Sequence, residues 1–202
     1  MSAENEKIFD PNGLVPDNGN YFGFPVEADD AALVLISAPW DTTVSTRAGS
    51  SYAPDAIIEA SRFVDFYEPM APDSWRKGIA TLPIDYSIQD LSHRLRSDAD
   101  KVIQMSHSDA DYILTNMMHE RRLRRVNEAS KQINDKIYSQ AKKWLERGKI
   151  VGLVGGDHST SYGNIRAVGE HYAEFGVLHI DAQCNLKEQL YGFNYSHGSV
   201  MH

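Results

Sequence analysis

Apolar positions along the chain fall into short unbroken runs and one long helical stripe. The run AALVLIS from Ala31 is continuous and rich in branched side chains, as expected of a strand covered on both faces of a parallel sheet. Pro39 ends it, and the loop 38–52 leads into APDAIIEASRFVDFY at 53–67, where Pro54 suits a first helical turn. A further short strand is expected near 77–82. Between 119 and 147, Leu123, Val126, Ile133, Ile137, Ala141 and Trp144 share one face of a helix, and Gly148 is placed to end it. KIVGLVGG at 149–156 and FGVLHIDA at 175–182 each read as a buried strand, with a helix over 157–174 between them. Together they predict a βαβ unit with a right-handed crossover, both strands ending on one edge of the sheet. Ligands bind at that edge in open parallel sheets.

Two stretches carry less order. Residues 1–30 hold Pro11, Gly13, Pro16, Gly19, Gly23 and Pro25 among several aromatics, which predicts a turn-rich N-terminal segment packed on the outside of a domain over 31–202. Residues 68–118 are interrupted by Pro69, Pro72 and Pro83, and the part 92–111 is polar with scattered charges. No helix is assigned there.

With 202 residues, 42% of them apolar, the chain suffices for one ordinary domain. A net charge of −8 argues against a general electrostatic hold on nucleic acid or on an anionic membrane surface, so a small molecule or a protein is the expected partner. Arg121, Arg122, Arg124 and Arg125 lie within the long helix with no interleaved aromatics, and read as a solvated face. The single Cys184 cannot close an internal disulfide, which points to a reducing compartment, the cytoplasm by default. No run approaches the roughly eighteen apolar residues of a spanning helix, and the first residues lack the basic and apolar regions of a secretion signal.

Candidate chemistry concentrates near the C-terminus, where His158, His171, His179, His197 and His202 fall in the last forty-five residues. Gly155 and Gly156 allow a sharp turn after a strand, so Asp157, His158 and Ser159 stand at the mouth of the sheet. Asp157 or Ser159 is also suited to cap the next helix. Asp181 ends the following predicted strand, with Gln183 and Asn185 at alternate positions and hence on its side if the chain stays extended. A histidine and a carboxylate from adjacent strand ends suit a divalent ion of the Mn, Zn or Ni kind. The same pieces admit plainer readings: GGDHS as a phosphate cradle or a tight turn, His158 as a structural histidine, and Asp181 as a cap or loop hydrogen-bonder. His171, late in a helix, and His179, facing opposite to Ile180, read as structural. Trp40 reads as packing with Asp41 bordering a pocket, and Cys184 lacks the neighbouring base a thiol nucleophile needs.

GGDHS at 155–159, HIDAQCNL at 179–186 and YSHGSVMH at 195–202 together resemble the ureohydrolase family of metal-dependent arginases, agmatinases and related amidino hydrolases. APWDTTVS at 38–45 and GSSYAPDAI at 49–57 resemble the first strand, loop and helix of that family. The resemblance implies a three-layer α/β/α fold with a mainly parallel sheet, C-terminally incomplete here because the family's DxDxxDP-like motif is not found within these residues. It implies a binuclear manganese centre, with nickel an alternative, and a guanidino small-molecule substrate of the agmatine or arginine type. It further implies assembly as a homo-oligomer, a trimer or hexamer. By position, His158 matches the ligand of GGDHS and Asp181 the first aspartate of the family's DAHxD pattern. Gln183 and Asn185 occupy the other two ligand positions of that pattern, where the family has His and Asp. His197 matches a histidine given substrate contact or proton transfer, and Asn194 and Ser196 flank Tyr195 beside it as candidate substrate contacts or turn residues.

The departures weaken a metal site, since an amide oxygen replaces an imidazole nitrogen at Gln183 and a negative, bridging carboxylate is lost at Asn185. Three functional readings follow: a hydrolase of linear amidines with impaired activity, a non-catalytic binding or assembly subunit, and an altered or truncated version of a longer enzyme.

Overall fold

The computed structural model describes residues 9–11, 13–66, 68–106 and 117–202. Its centre is a parallel three-stranded sheet in the order β2-β1-β3, made of β1 (Leu33–Ala38), β2 (Ile79–Thr81) and β3 (Ile150–Gly155). Leu33 is opposite Ile79 on one side and Ile150 on the other, so β1 is paired along both edges. That central position explains its apolar run, with Val34–Ala38 buried.

The helices are α1 (Ala53–Ser61), α2 (Tyr86–Met105), α3 (Met117–Leu145) and α4 (Ser161–His171). Alternation along β1 sends Val34, Ile36 and Ala38 to one face of the sheet. There Val34 packs with Trp144, Ile36 with Ala141, Leu145 and Ala167, and Ala38 with Ile88, Leu95, Ile133 and Ile137. Each such fully buried branched side chain contributes about 1.5–3 kcal/mol by leaving water. On the other face, the Tyr21 hydroxyl lies 2.8 Å from Ser37 Oγ. The expected α/β architecture with a parallel sheet is therefore present.

The stripe predicted in α3 is the buried one, and the helix ends as expected: Gly148 has φ 73°, its N–H donates to Leu145 O, and the Lys149 N–H reaches back to Trp144 O. The arginine face is exposed at Arg121, Arg124 and Arg125, with Arg122 and Arg125 at 3.6 and 2.7 Å from Asp98 of α2.

Three expectations are corrected. First, α2 occupies part of the stretch left without a helix. Its buried positions Ile88, Ser92, Leu95, Ala99 and Val102 have helical spacing, but Ser92 and a mostly polar remainder hide the stripe. Asp85 caps it by accepting from the Ser87 N–H. The rest of that stretch, 107–116, lies outside the described residues. Second, 175–182 is not a strand. It forms no ladder, and Leu178 and Ile180 are 87% and 89% exposed, so the βαβ unit predicted with β3 does not form. Branched apolar residues favour a pleated surface, but a strand requires a partner edge to satisfy its backbone. The helix before it also stops early, at His171, and Phe175 folds back over Gly169. Third, the N-terminal segment contributes to the interior as well as the exterior, since Tyr21 and Phe24 are fully buried and Phe9 stacks on Phe24 with ring centres 4.3 Å apart. Its aromatic side chains carry enough apolar area to join the core from a segment whose regular structure, among the described residues, is a short 3-10 turn over Tyr21–Gly23.

Candidate metal and substrate site

Two loops leave the carboxyl ends of β1 and β3 side by side. The Gly156 N–H donates to Ala38 O and the Asp157 N–H to Trp40 O, both at 2.8 Å, which fastens the GGDHS turn to the loop after β1. Trp40 is fully buried, in keeping with a packing role. Asp157 accepts from the Ser159 N–H at 2.9 Å and from the Ser159 hydroxyl, and from Thr43 Oγ1 at 3.2 Å. It is the cap that starts a short 3-10 turn over His158–Thr160. Burial pushes its carboxyl up to about 6, against the hydrogen bonds that favour the ionised form.

Asp41 organises the facing loop. Its Oδ2 accepts from the backbone of Gly49 at 2.7 Å and Ser51 at 3.2 Å, and its Oδ1 accepts from Ser92 Oγ at 3.0 Å. Burial works to raise its pKa, but these donors together hold it below the ordinary value. Arg96 of α2 donates to Thr42 O and Val44 O at 2.9 and 2.7 Å. The loop so held presents Ser45, whose Oγ lies 3.1 Å from His197 Nε2.

His158, at the turn, aims Nδ1 at Asp181 Oδ2, 3.3 Å away. His179 joins them, with Nε2 at 3.3 Å from the same oxygen and its ring centre 5.2 Å from that of His158. One ligand atom from each of these three residues falls within 4.8 Å of the others. Asn185, buried and at φ 55°, places its side-chain Nδ2 at the middle of the group. It donates to Asp181 Oδ2 at 2.9 Å and stands 3.2 Å from His158 Nδ1 and 3.5 Å from His179 Nε2. The Gln183 N–H donates to Asp181 Oδ1 at 3.0 Å and holds that carboxyl below its ordinary pKa, with Asn185 and His179 adding to the effect. Burial lowers the pKa of His158 and of His197. In His197 the repulsion that a protonated His158 would exert, and that of Lys187, add to it while Asp181 opposes. Both rings are therefore mainly neutral at neutral pH, the form that ligates a metal or accepts a proton.

Beside the cluster opens a cleft of about 580 Å³ lined by Ser45, Gln183, Asn185, Lys187, Tyr191 and His197 among others. The structure thus brings His158, Asp181 and Asn185 into direct contact and places Gln183 and His197 on the adjoining cleft. Asn194 and Ser196 do not line it. The Asn194 side chain accepts from Gln189 Nε2 at 2.6 Å, and Ser196 is buried against Ser199 with hydroxyls 2.9 Å apart. Cys184 is exposed on the cleft. His179 reads as structural from its place in a predicted strand, yet it contacts the cluster. What brings it there is its contact with Asp181, whose Oδ2 lies 3.3 Å from its Nε2. Ser45 carries no sequence signal of its own, because its relation to His197 spans 152 residues.

Residues 31–202 match the model of the arginase family. The chain belongs to this family. Within it, the chain is similar to agmatinase-like ureohydrolases. It is 26% identical over 175 residues to an N(1)-aminopropylagmatine ureohydrolase of Thermus thermophilus, covering 85% of this chain and 46% of that protein. It is 27% identical over 173 residues to the agmatinase of Bacillus subtilis, covering 86% of this chain and 47% of the relative. The agmatine ureohydrolase of Thermoplasma volcanium shares the fold, with a TM-score of 0.55 at 21% identity over 98% of this chain and 52% of that one. The arginase-family chain thus spans about half the length of the relatives it matches. No described helix is long and apolar enough to cross a membrane.

The residues present fit one divalent cation better than two. Two imidazoles and a carboxylate converge on one point, now held by the Asn185 amide nitrogen. A pair of ions about 3.5–4 Å apart needs bridging carboxylates. Asp181 is the one carboxylate in this group among the described residues.

Proposed function

We propose that this chain carries the metal-ligand end of a ureohydrolase site, for hydrolysis of a C–N bond in a small linear amidine or guanidino compound of the agmatine type. The observation that carries the reading is the 3.3 Å approach of His158 Nδ1 to Asp181 Oδ2 beside the cleft that holds His197. His158 and Asp181 would hold the cation, with Gln183 and Asn185 at its margin. A bound divalent cation supplies a water of lowered pKa, usable as a nucleophile at neutral pH.

The remaining work falls to side chains of this chain. His197, kept neutral by burial and hydrogen-bonded to Ser45, is the group to accept a proton from the attacking water and return it to the departing nitrogen. The cleft receives the substrate. Turnover is expected to be weak, because the amides at Gln183 and Asn185 neither bridge nor neutralise cationic charge. A second reading, a binding or assembly subunit of a homo-oligomer, is favoured by the Asn185 amide, which itself hydrogen-bonds the cluster from its centre. A cytoplasmic location accompanies either reading.

The test is urea release from agmatine, arginine and guanidinobutyrate after loading the protein with manganese or nickel. Slow release, strongest with agmatine and abolished in His197→Ala, supports the hydrolase. Release no greater than from the substrate alone, for all three compounds, overturns it and leaves the assembly reading.

A further inference from the structure

We infer that this chain binds a single divalent cation of the zinc, cobalt or nickel class through His158 Nδ1, His179 Nε2 and Asp181 Oδ2, in place of a manganese pair. The inference rests on the proposed ureohydrolase site but changes its ligand set, stoichiometry and metal.

Three observations carry it. The three donor atoms lie within 4.8 Å of one another, a span that contraction around one ion can close, since metal–nitrogen and metal–oxygen distances of about 2.0–2.2 Å put ligand atoms about 3–3.5 Å apart. His158 Nδ1 and Asp181 Oδ2 are already at 3.3 Å, as are His179 Nε2 and Asp181 Oδ2. The point they share holds the Asn185 amide nitrogen at 2.9–3.5 Å from all three, the partly positive end of a neutral side chain where a cation would sit. Turning that carboxamide over would bring its oxygen to the same point as a fourth donor.

The donor types select the ion. Two imidazole nitrogens with a single carboxylate suit zinc, cobalt or nickel, whereas manganese prefers a richer set of oxygens and binds nitrogen sites most weakly of the series. A second ion would bring two further positive charges to a group whose one carboxylate is already engaged. His179 is held in place by observed contacts: its Nε2 is 3.3 Å from Asp181 Oδ2, and its ring centre is 5.2 Å from that of His158, with the two planes tilted by 36°.

The probe is cobalt(II), whose visible absorption reports coordination independently of turnover. The full chain is titrated with Co2+, following the d–d bands and the bound metal per chain. One Co2+ per chain is expected, with intense bands of a four- or five-coordinate site, and with Mn2+ failing to displace it. His179→Ala should weaken Co2+ binding by about tenfold or more, as should His158→Ala, while His171→Ala should leave it unchanged.

Two Co2+ per chain, or His179→Ala binding as wild type while His158→Ala does not, would overturn the inference and leave the ureohydrolase reading standing. No Co2+ bound to the wild type at millimolar metal would overturn both. Because a variant can fail to fold, the wild type is also modified with diethylpyrocarbonate with and without Co2+ and mapped by mass spectrometry. Protection of His158 and His179 but not His171 supports the three-ligand site, and an equally reactive His179 in both states refutes it.

Discussion

A β-carbon placed on Gly156 would lie 1.8 Å from the carbonyl oxygen of Trp40, inside any permitted contact. The same carbonyl accepts from the Asp157 N–H at 2.8 Å, so the turn that delivers His158 is laid directly against the loop after β1. Gly156→Ala must therefore separate the two loops. The expected cost is about 2–3 kcal/mol or more, as for other overpacked sites, seen as a lower urea midpoint. A weaker cobalt affinity should accompany it. Unchanged stability would mean that the turn can move at no cost and does not fix His158.

Asp41 is a second point of attachment. Asp41→Ala leaves the Gly49 and Ser51 N–H groups without their acceptor and frees the loop that carries Ser45 toward His197. A loss of about 2–3 kcal/mol at pH 7 is expected from urea unfolding. Because its folded pKa is depressed, the stability that Asp41 contributes is present above its unfolded-state value near 3.8 and is lost as pH falls through the lower folded value. The gap between wild type and variant should therefore narrow at pH 3. A gap that stays constant would contradict the role of the ionised carboxylate.

Asp157 has the opposite sign. Its folded pKa of about 6 lies above the ordinary 3.8, so the native state holds the proton more tightly and stability falls as pH rises from about 4 to about 6. The group contributes a change on the order of 3 kcal/mol across that window. His158 and His197, with lowered values, act in the reverse direction nearby, so the comparison that isolates Asp157 is wild type against Asp157→Asn. Relative to that variant the wild type should be more stable at pH 4 than at pH 7. A difference independent of pH would show that the carboxyl ionises freely in the fold.

Gln183 and Asn185 set the charge of the site. Gln183→His together with Asn185→Asp replaces two amides by an imidazole and a carboxylate, and removes the amide nitrogen now lodged between His158 and Asp181. Manganese affinity, read by electron paramagnetic resonance of free Mn2+, should rise by about tenfold or more. No change in affinity would show that these two positions are not next to the cation.

Much of the fold is legible from local pattern. The β1 run and the α3 stripe ending at Gly148 each bury their apolar face as their residue order demands. The β3 run forms a strand as expected but is not buried: it lies at the edge of the sheet with Ile150 67% exposed, because the strand expected beside it does not form. The stripe of α2 is hidden because its buried line includes Ser92, whose hydroxyl is there to bond Asp41 and Thr42, residues about fifty positions earlier. A polar residue at a core position reads as surface until its partner is known. The run 175–182 misleads in the other direction, since its branched residues have strand preference and no strand beside them.

For the candidate site, residue order alone specifies the chemistry on offer: a histidine after a tight turn, an aspartate, two amides where stronger ligands were expected, and a loop histidine at 197. These follow from residue identity and short spacing, which the chain fixes before it folds. The folded arrangement selects which of them meet. It drew His179 into the cluster, set the Asn185 amide at its centre, turned Ser196 inward and brought Ser45 to His197. Such contacts depend on where two loops from separate strands end, and that is set by sheet pairing and helix packing over more than a hundred residues, which local pattern does not encode.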